Sequence, residues 1–193
     1  MKKIICFLFA LMLCLSMACA EAVPSKTTSD FTEVKDIVAE NMPADSNFSF
    51  TVAVEEEVAV VANTEVAKLA ETADVETYFG EIVDAQGNAV SLKEMLETET
   101  INVFEFVPVT VAEYDDSYGK INVTMTFSTP YAKDEKVVVL VGIVNVNDDG
   151  TQTVTWTAFE GIAVEEGSIK VEFDAETMKS IQNGTALVAI VSK

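Results

Sequence analysis

The chain has 193 residues and a net charge of −20, with 12 lysines against 32 aspartates and glutamates and neither histidine nor arginine. Those absences exclude serine triads with an imidazole base, histidine-bound zinc, cysteine–histidine nucleophiles and arginine clamps on phosphate. The negative field repels phosphate backbones and anionic membrane surfaces, so nucleic acid is not an expected partner.

The opening stretch, MKKIICFLFALMLCLSMACA, has a basic start, an apolar run too short to span a bilayer and small residues at Ala18 and Ala20. This pattern predicts a secretory signal peptide over residues 1–20, cleaved after Ala20. The alternative is a lipid anchor at Cys19, although Ser16 stands where a lipoprotein box carries leucine. Cys6, Cys14 and Cys19 all lie in this leader, so the exported chain would have no disulfide and would rely on its core alone. Loss of the leader, which carries two lysines and no acid, takes the charge to −22. No later apolar stretch is long enough for a transmembrane segment.

Residues 21–30, EAVPSKTTSD, read as a flexible arm. Residues 31–100 read as a mixed α/β region. FTEVKDIVAE fits either a strand or a short helix. NFSFTVAV alternates, with Phe48, Phe50, Val52 and Val54 on one face of a strand. Asn63 or Thr64 can cap a helix whose Val66, Leu69 and Ala70 share one side. Asp74 opens a short turn closed by Gly80, and Ser91 with Glu94 forms a capping box ahead of Met95 and Leu96.

From residue 101 the pattern is mainly β, with strands expected over 101–111, 119–128, 136–146, 151–158, 168–173 and 185–191. The second and fifth alternate cleanly: Ile121, Val123, Met125 and Phe127 inward in one, Ile169, Val171 and Phe173 in the other. Each suits a sheet with one wet face. KVVVLVGIVNV and TALVAIV are apolar on both faces and need cover on both sides. In an immunoglobulin-like sandwich the second and fifth strands share one sheet and the third and sixth the other. The expected fold is therefore α+β, mainly β: an immunoglobulin-like β-sandwich over 101–193, covered on one face by the α/β region of 31–100. A helix over DAETMKSIQNG, capped by Asp174, bridges the last two strands with Met178 and Ile181 inward. Strand 185–191 lacks an assigned second neighbour. Segment 101–111, interrupted by Pro108, an N-terminal strand or self-association with another molecule could supply it.

Few motifs suggest chemistry. NVNDDG places Asn145, Asn147 and Asp149 as the start of a calcium loop, but Trp156 occupies the position of the bidentate glutamate and both flanks read as strand. A hairpin turn through Asp149 and Gly150 explains the same residues. SYGK, residues 117–120, has the S-x-x-K spacing of penicillin-recognising enzymes without their companion motifs. Trp156, with Val154 and Ala158 on its side of the strand, reads as core. Tyr114, Tyr118 and Tyr131 fall near turns and are the candidates for an exposed ligand-binding surface. The acids at 55–57, 115–116, 148–149 and 165–166 read as solvated charge, although paired carboxylates are also the apparatus of glycosidases.

Read in order, DVETYFGEIVD, INVFEFVPV, FSTPYAKDEKVVVLVGI, VTWTAFEG and MKSIQNGTALVAIVS resemble a group of uncharacterised small secreted proteins from anaerobic, largely gut-dwelling Gram-positive bacteria. The likeness runs from Phe48 to the end. It implies an extracellular bacterial setting and carries no activity with it. The expectation is a secreted or cell-surface, non-enzymatic binding module without catalytic residue, metal or cofactor, whose partner is an extracellular protein or glycan. The alternative is a carbohydrate-binding protein or a carboxylate-based glycan hydrolase.

Overall fold

The computed structural model describes residues 32–43, 45–72, 74–149 and 151–193. The expected leader of 1–20 with Cys19, the arm of 21–30, Phe31 and Gly150 lie outside the described residues. In chain order the elements are β1 (Asp36–Glu40), β2 (Ser49–Val52), α1 (Glu56–Glu71), α2 (Val75–Phe79), β3 (Ile82–Asp84), α3 (Leu92–Leu96) and β4 (Asn102–Ala112). They continue with β5 (Ile121–Thr126), β6 (Lys136–Val146), β7 (Gln152–Glu165), β8 (Ser168–Phe173), α4 (Ala175–Asn183) and β9 (Thr185–Ser192). Among the described residues no helix is long and apolar enough to cross a membrane.

The fold is mainly β, and its strands form a single sheet in the order β1-β5-β8-β7-β6-β9-β4-β2, with β3 attached to β7. The expected pairings of β5 with β8 and of β6 with β9 are both present and antiparallel. The two separate sheets of an immunoglobulin-like sandwich are not. β7, at 14 residues, is long enough to pair with β6 from Gln152 to Ile162 and with β8 from Gly161 onward, so it joins both groups into one curled sheet. Gly161 sits at this handover. A Cβ there would lie 2.8 Å from a methyl of Val139 and 2.9 Å from one of Val137, so only glycine lets β7 approach β6 so closely while it bends.

The curl brings the outer strands β1 and β2 toward each other across a narrow seam lined by Val34–Ile37 and Phe50–Val52. Ahead of β1, Thr32 spans the seam: its N–H donates to the Phe106 carbonyl at 2.8 Å and its hydroxyl accepts from the Phe106 N–H at 3.2 Å. Inside the curl lies one apolar interior, built from alternate residues of most strands and closed at one end by Met178 and Ile181 of α4.

A second apolar layer lies outside. Ala62, Val66 and Leu69 of α1, Val75 and Phe79 of α2, and Leu92 and Leu96 of α3 pack on the outward residues of β4, β6, β7 and β9, among them Leu140, Trp156, Leu187 and Ala189. Each such large side chain taken from water contributes about 1.5–3 kcal/mol. The strands that are apolar on both faces are thus interior on one side and roofed by helices on the other.

Strand 185–191 does not present a free edge. β9 is flanked by β6 and by β4, which removes it as a surface for self-association. Pro108 does not prevent the β4 pairing. Its carbonyl points to the β2 side, where it accepts from the Ala53 N–H at 3.0 Å, so the missing N–H falls on that side too, just where β2 has ended.

Three local expectations shift. β2 ends at Val52, and Val54 is 84% exposed rather than inward, because the chain leaves the sheet to enter α1. α1 starts at Glu56 rather than at Asn63 or Thr64: Glu56 and Glu57 in its first turn complement the positive end of the helix dipole, and Ala70 is exposed. α3 begins after Ser91 as expected but without a capping box. The Ser91 hydroxyl donates instead to Glu76 of α2 at 3.0 Å, and Lys93 pairs with the same carboxylate at 3.2 Å. Burial pushes the Glu76 carboxyl up, but the Ser91 and Lys93 bonds outweigh it and hold it below its ordinary value.

Candidate functional site

The residues singled out from the sequence do not assemble into a site. Asn145, Asn147 and Asp149 are exposed at the β6–β7 hairpin and bond within it. Asp149 accepts from the Thr151 N–H at 2.9 Å and from its hydroxyl at 2.6 Å, while Asn147 donates to that hydroxyl at 2.8 Å. Those carboxylate bonds hold Asp149 below the usual carboxylate range, the state of a turn-forming side chain. Among the described residues no group of three acids, histidines or cysteines is placed to hold a metal ion.

Two of the three tyrosines expected at the surface are buried, Tyr114 at 7% and Tyr131 at 3% exposure, and Tyr118 is half-buried. Tyr114 donates its hydroxyl to the Gly119 carbonyl at 2.7 Å and forms an edge-to-face cluster with Phe48 and Tyr118. Tyr131 points inward to Glu105, 3.4 Å away, and packs against Phe104 and Phe127. A register shift between Val103 and Glu105 opposes Glu105 to Ile190, an interior residue, and so turns this carboxylate inside. A turn position in sequence did not mean exposure, because both rings fold back under their own loops.

The remaining motifs have structural roles. Ser117 of SYGK lies in a single 3-10 turn capped by Asp115, and Lys120 pairs with Glu172 at 2.7 Å. Trp156 is 2% exposed and packs edge-to-face on Phe79 and Phe106, with ring centres 4.9 and 5.9 Å away. Gly142 on β6 makes room for it, since a Cβ there would come within 2.5 Å of the indole.

The most distinctive concave feature arises from β7 and could not be read along the chain. One edge of β7 is shared by two strands: β3 runs parallel to it over Trp156–Ala158, and β8 antiparallel to it from Gly161. Between them Phe159 and Glu160 have no strand partner on that edge, and the sheet forks. The fork opens into a trough of about 590 Å³ rimmed by Asp84, Gln86, Lys120, Glu160, Glu172 and Asp174. At one end it continues into a recess of about 290 Å³ reaching Glu176 and Ser180 of α4. At the other it passes Met95 onto the bare outer face of β7 and β8, where Ile162, Lys170 and Lys136 line a smaller groove of about 410 Å³.

The acids of the fork are not equivalent. Asp84 accepts from the Asn88 side chain and from the main-chain N–H groups of Gln86 and Asn88, bonds that pin the turn after β3 and hold this carboxyl below its ordinary range. Asp174 caps α4 by accepting from the Thr177 N–H at 2.8 Å. Glu172 is paired with Lys120. The Glu160 and Glu176 carboxylates make no hydrogen bond or ion pair among the described residues, which leaves them to accept from an incoming group. The strand expected over 151–158 stops short of Glu160, and the gap beside that residue depends on where β3 and β8 end. No family model, no curated protein and no solved structure matches the chain.

Proposed function

We propose that the protein is a non-enzymatic binding module, secreted or held at the cell surface, that grips an extended basic polypeptide segment in the fork of its sheet. The observation that carries this reading is the unpartnered stretch of β7 at Phe159–Glu160, where the exposed Glu160 carboxylate makes no hydrogen bond or ion pair among the described residues. An extended strand gains affinity from main-chain hydrogen bonds to such an edge, and side-chain complementarity supplies its selectivity. Lysines or arginines of the partner meet Glu160 and Glu176, and Ile162 and Met95 offer apolar contacts where the trough runs onto the open face.

A hydrolytic use of the same acids has less support. Glycoside cleavage needs one carboxyl held protonated as a general acid. Here Asp84, Asp174 and Glu172 are committed to a turn, a helix cap and an ion pair, and Asp84 is pushed toward its ionised form.

The test is a heteronuclear NMR titration of the exported chain with the peptide Lys-Thr-Lys-Thr-Lys-Thr, and with its glutamate counterpart as control. The basic peptide should move the amides of Ala85–Gly87 and Phe159–Gly161, and Glu160→Lys should weaken binding at least tenfold, with a marked salt dependence. Diffuse shifts over the whole acidic surface, or indifference to Glu160→Lys, would remove the proposal.

A further inference from the structure

Toward the other end of β7, on its outward face and against the helices, a second recess of about 560 Å³ lies between the C-terminal half of α1, α2 and the start of β7. Its wall is aromatic: Tyr78 stands 6.4 Å from Trp156, centre to centre, and both rest on Phe79. Its polar groups converge on that wall. Glu65, 5% exposed, accepts the Tyr78 hydroxyl at 3.0 Å through one oxygen and pairs with Lys68 through the other, so a buried carboxylate is held in one orientation before any ligand arrives. Glu71 and Gln152 complete the rim.

The composition of this recess selects among ligands. Two carboxylates against one ammonium disfavour an anion, as does the net charge of the chain. A cation gains little from Glu65, which Lys68 already neutralises, and little from Glu71, which is exposed at the rim and screened by water. A wholly apolar ligand leaves Gln152 and the Glu65–Lys68 pair without replacement for lost water, at a cost of about 1–3 kcal/mol for each group. A neutral polyol ring meets every requirement, since its hydroxyls both donate and accept and its C–H face suits an aromatic wall. The recess is within the range of about 300–1,000 Å³ usual for small-ligand sites.

We propose that this recess binds a pyranose ring of a neutral saccharide, with Tyr78 as the wall, Glu65 as the fixed acceptor and Lys68 and Gln152 as donors at the rim. It is separate from the peptide fork. Trp156 is the single tryptophan of the chain and its buried ring lies 6.4 Å from that of Tyr78, so its emission serves as the readout of occupancy at the Tyr78 wall.

The experiment is a fluorescence titration of the exported chain with cellohexaose, xylohexaose, mannohexaose and chitohexaose. At least one should give a saturable change in tryptophan emission. Tyr78→Ala should weaken that response at least tenfold and Gln152→Ala several-fold, whereas Glu160→Lys in the fork leaves it unchanged. Gln152 is exposed at the first position of β7, so its variant folds even if Tyr78→Ala does not, and circular dichroism checks both. Absence of a saturable response to all four sugars, or a response that survives both substitutions, overturns the proposal.

Discussion

The two halves of the curled sheet share one interior but differ outside. On β6, β9 and β4 the outward residues Val138, Leu140, Leu187, Ala189 and Val103 are as buried as the inward ones, because α1, α2 and α3 lie over them. On β1, β5 and β8 the outward residues Val38, Asn122, Thr124, Lys170 and Glu172 all keep some exposure, and the one buried among their neighbours is the polar Ser168, bonded to the Thr126 hydroxyl. The backbone pairing is of the same kind in both halves, and only the outward side chains differ. A sheet face is left open where every second residue is polar, and covered where it is not. The fork lies on the boundary between the halves, where the cover ends at α3 and the bare face begins.

That contrast can be broken most severely at the indole beneath the helices. Trp156→Ala should cost about 3–5 kcal/mol by emptying the space between Phe79 and Phe106. Ile162→Ala, on the same strand but six residues further on and 41% exposed, should fall within about 0.5 kcal/mol of the parent. Chemical denaturation of both variants measures the difference, and near-equal losses would mean that the helices do not seal their half. Gly142→Ala comes next. Its added methyl meets the Trp156 ring from the strand opposite, and a loss of about 1–3 kcal/mol is expected. The same measurement on Asn122→Ala, on the bare face, should show little change.

The smallest effect is alkaline. Burial, reinforced by the charge of Glu65 at Tyr78 and of Glu105 at Tyr131, raises both phenols above their ordinary value of 10.0. A group raised on folding stabilises the native state fully below its unfolded value and loses that contribution as pH climbs through the folded one. The melting temperature should therefore decline above about pH 10. Tyrosinate absorbance from Tyr78 and Tyr131 should appear together with loss of secondary structure. Ionisation of all four tyrosines in a chain that is still folded would show that neither phenol is held by its burial and its carboxylate partner.

Much of the strand content was legible because alternation is a property of neighbouring residues. Ile121–Thr126 and Ser168–Phe173 show it without interruption, and the dual-faced runs around Leu140 and Val188 announce their need for cover. The helix over 175–183 was equally plain, since Asp174 caps it and Met178 and Ile181 sit three apart on one face. Exposure near turns was not legible. Tyr114 and Tyr131 follow strands or bends like many surface residues, and only the path of their loops brings Gly119 and Glu105 to their hydroxyls. Nothing local marks Tyr78, because its partner Glu65 lies thirteen residues away on another helix.

Side-chain periodicity along each segment was enough to establish the mainly β character, the order of most elements and which strands require burial on two sides, since these depend on contacts a few residues apart. The three-dimensional arrangement settled the rest: that β7 joins what read as two sheets into one, that β9 finds β4 as its neighbour, and that β3 and β8 stop short of each other along a shared edge. Those outcomes turn on strand lengths, on a glycine at a bend and on closures between residues far apart in the chain, and no local pattern encodes where two distant segments will end beside a third.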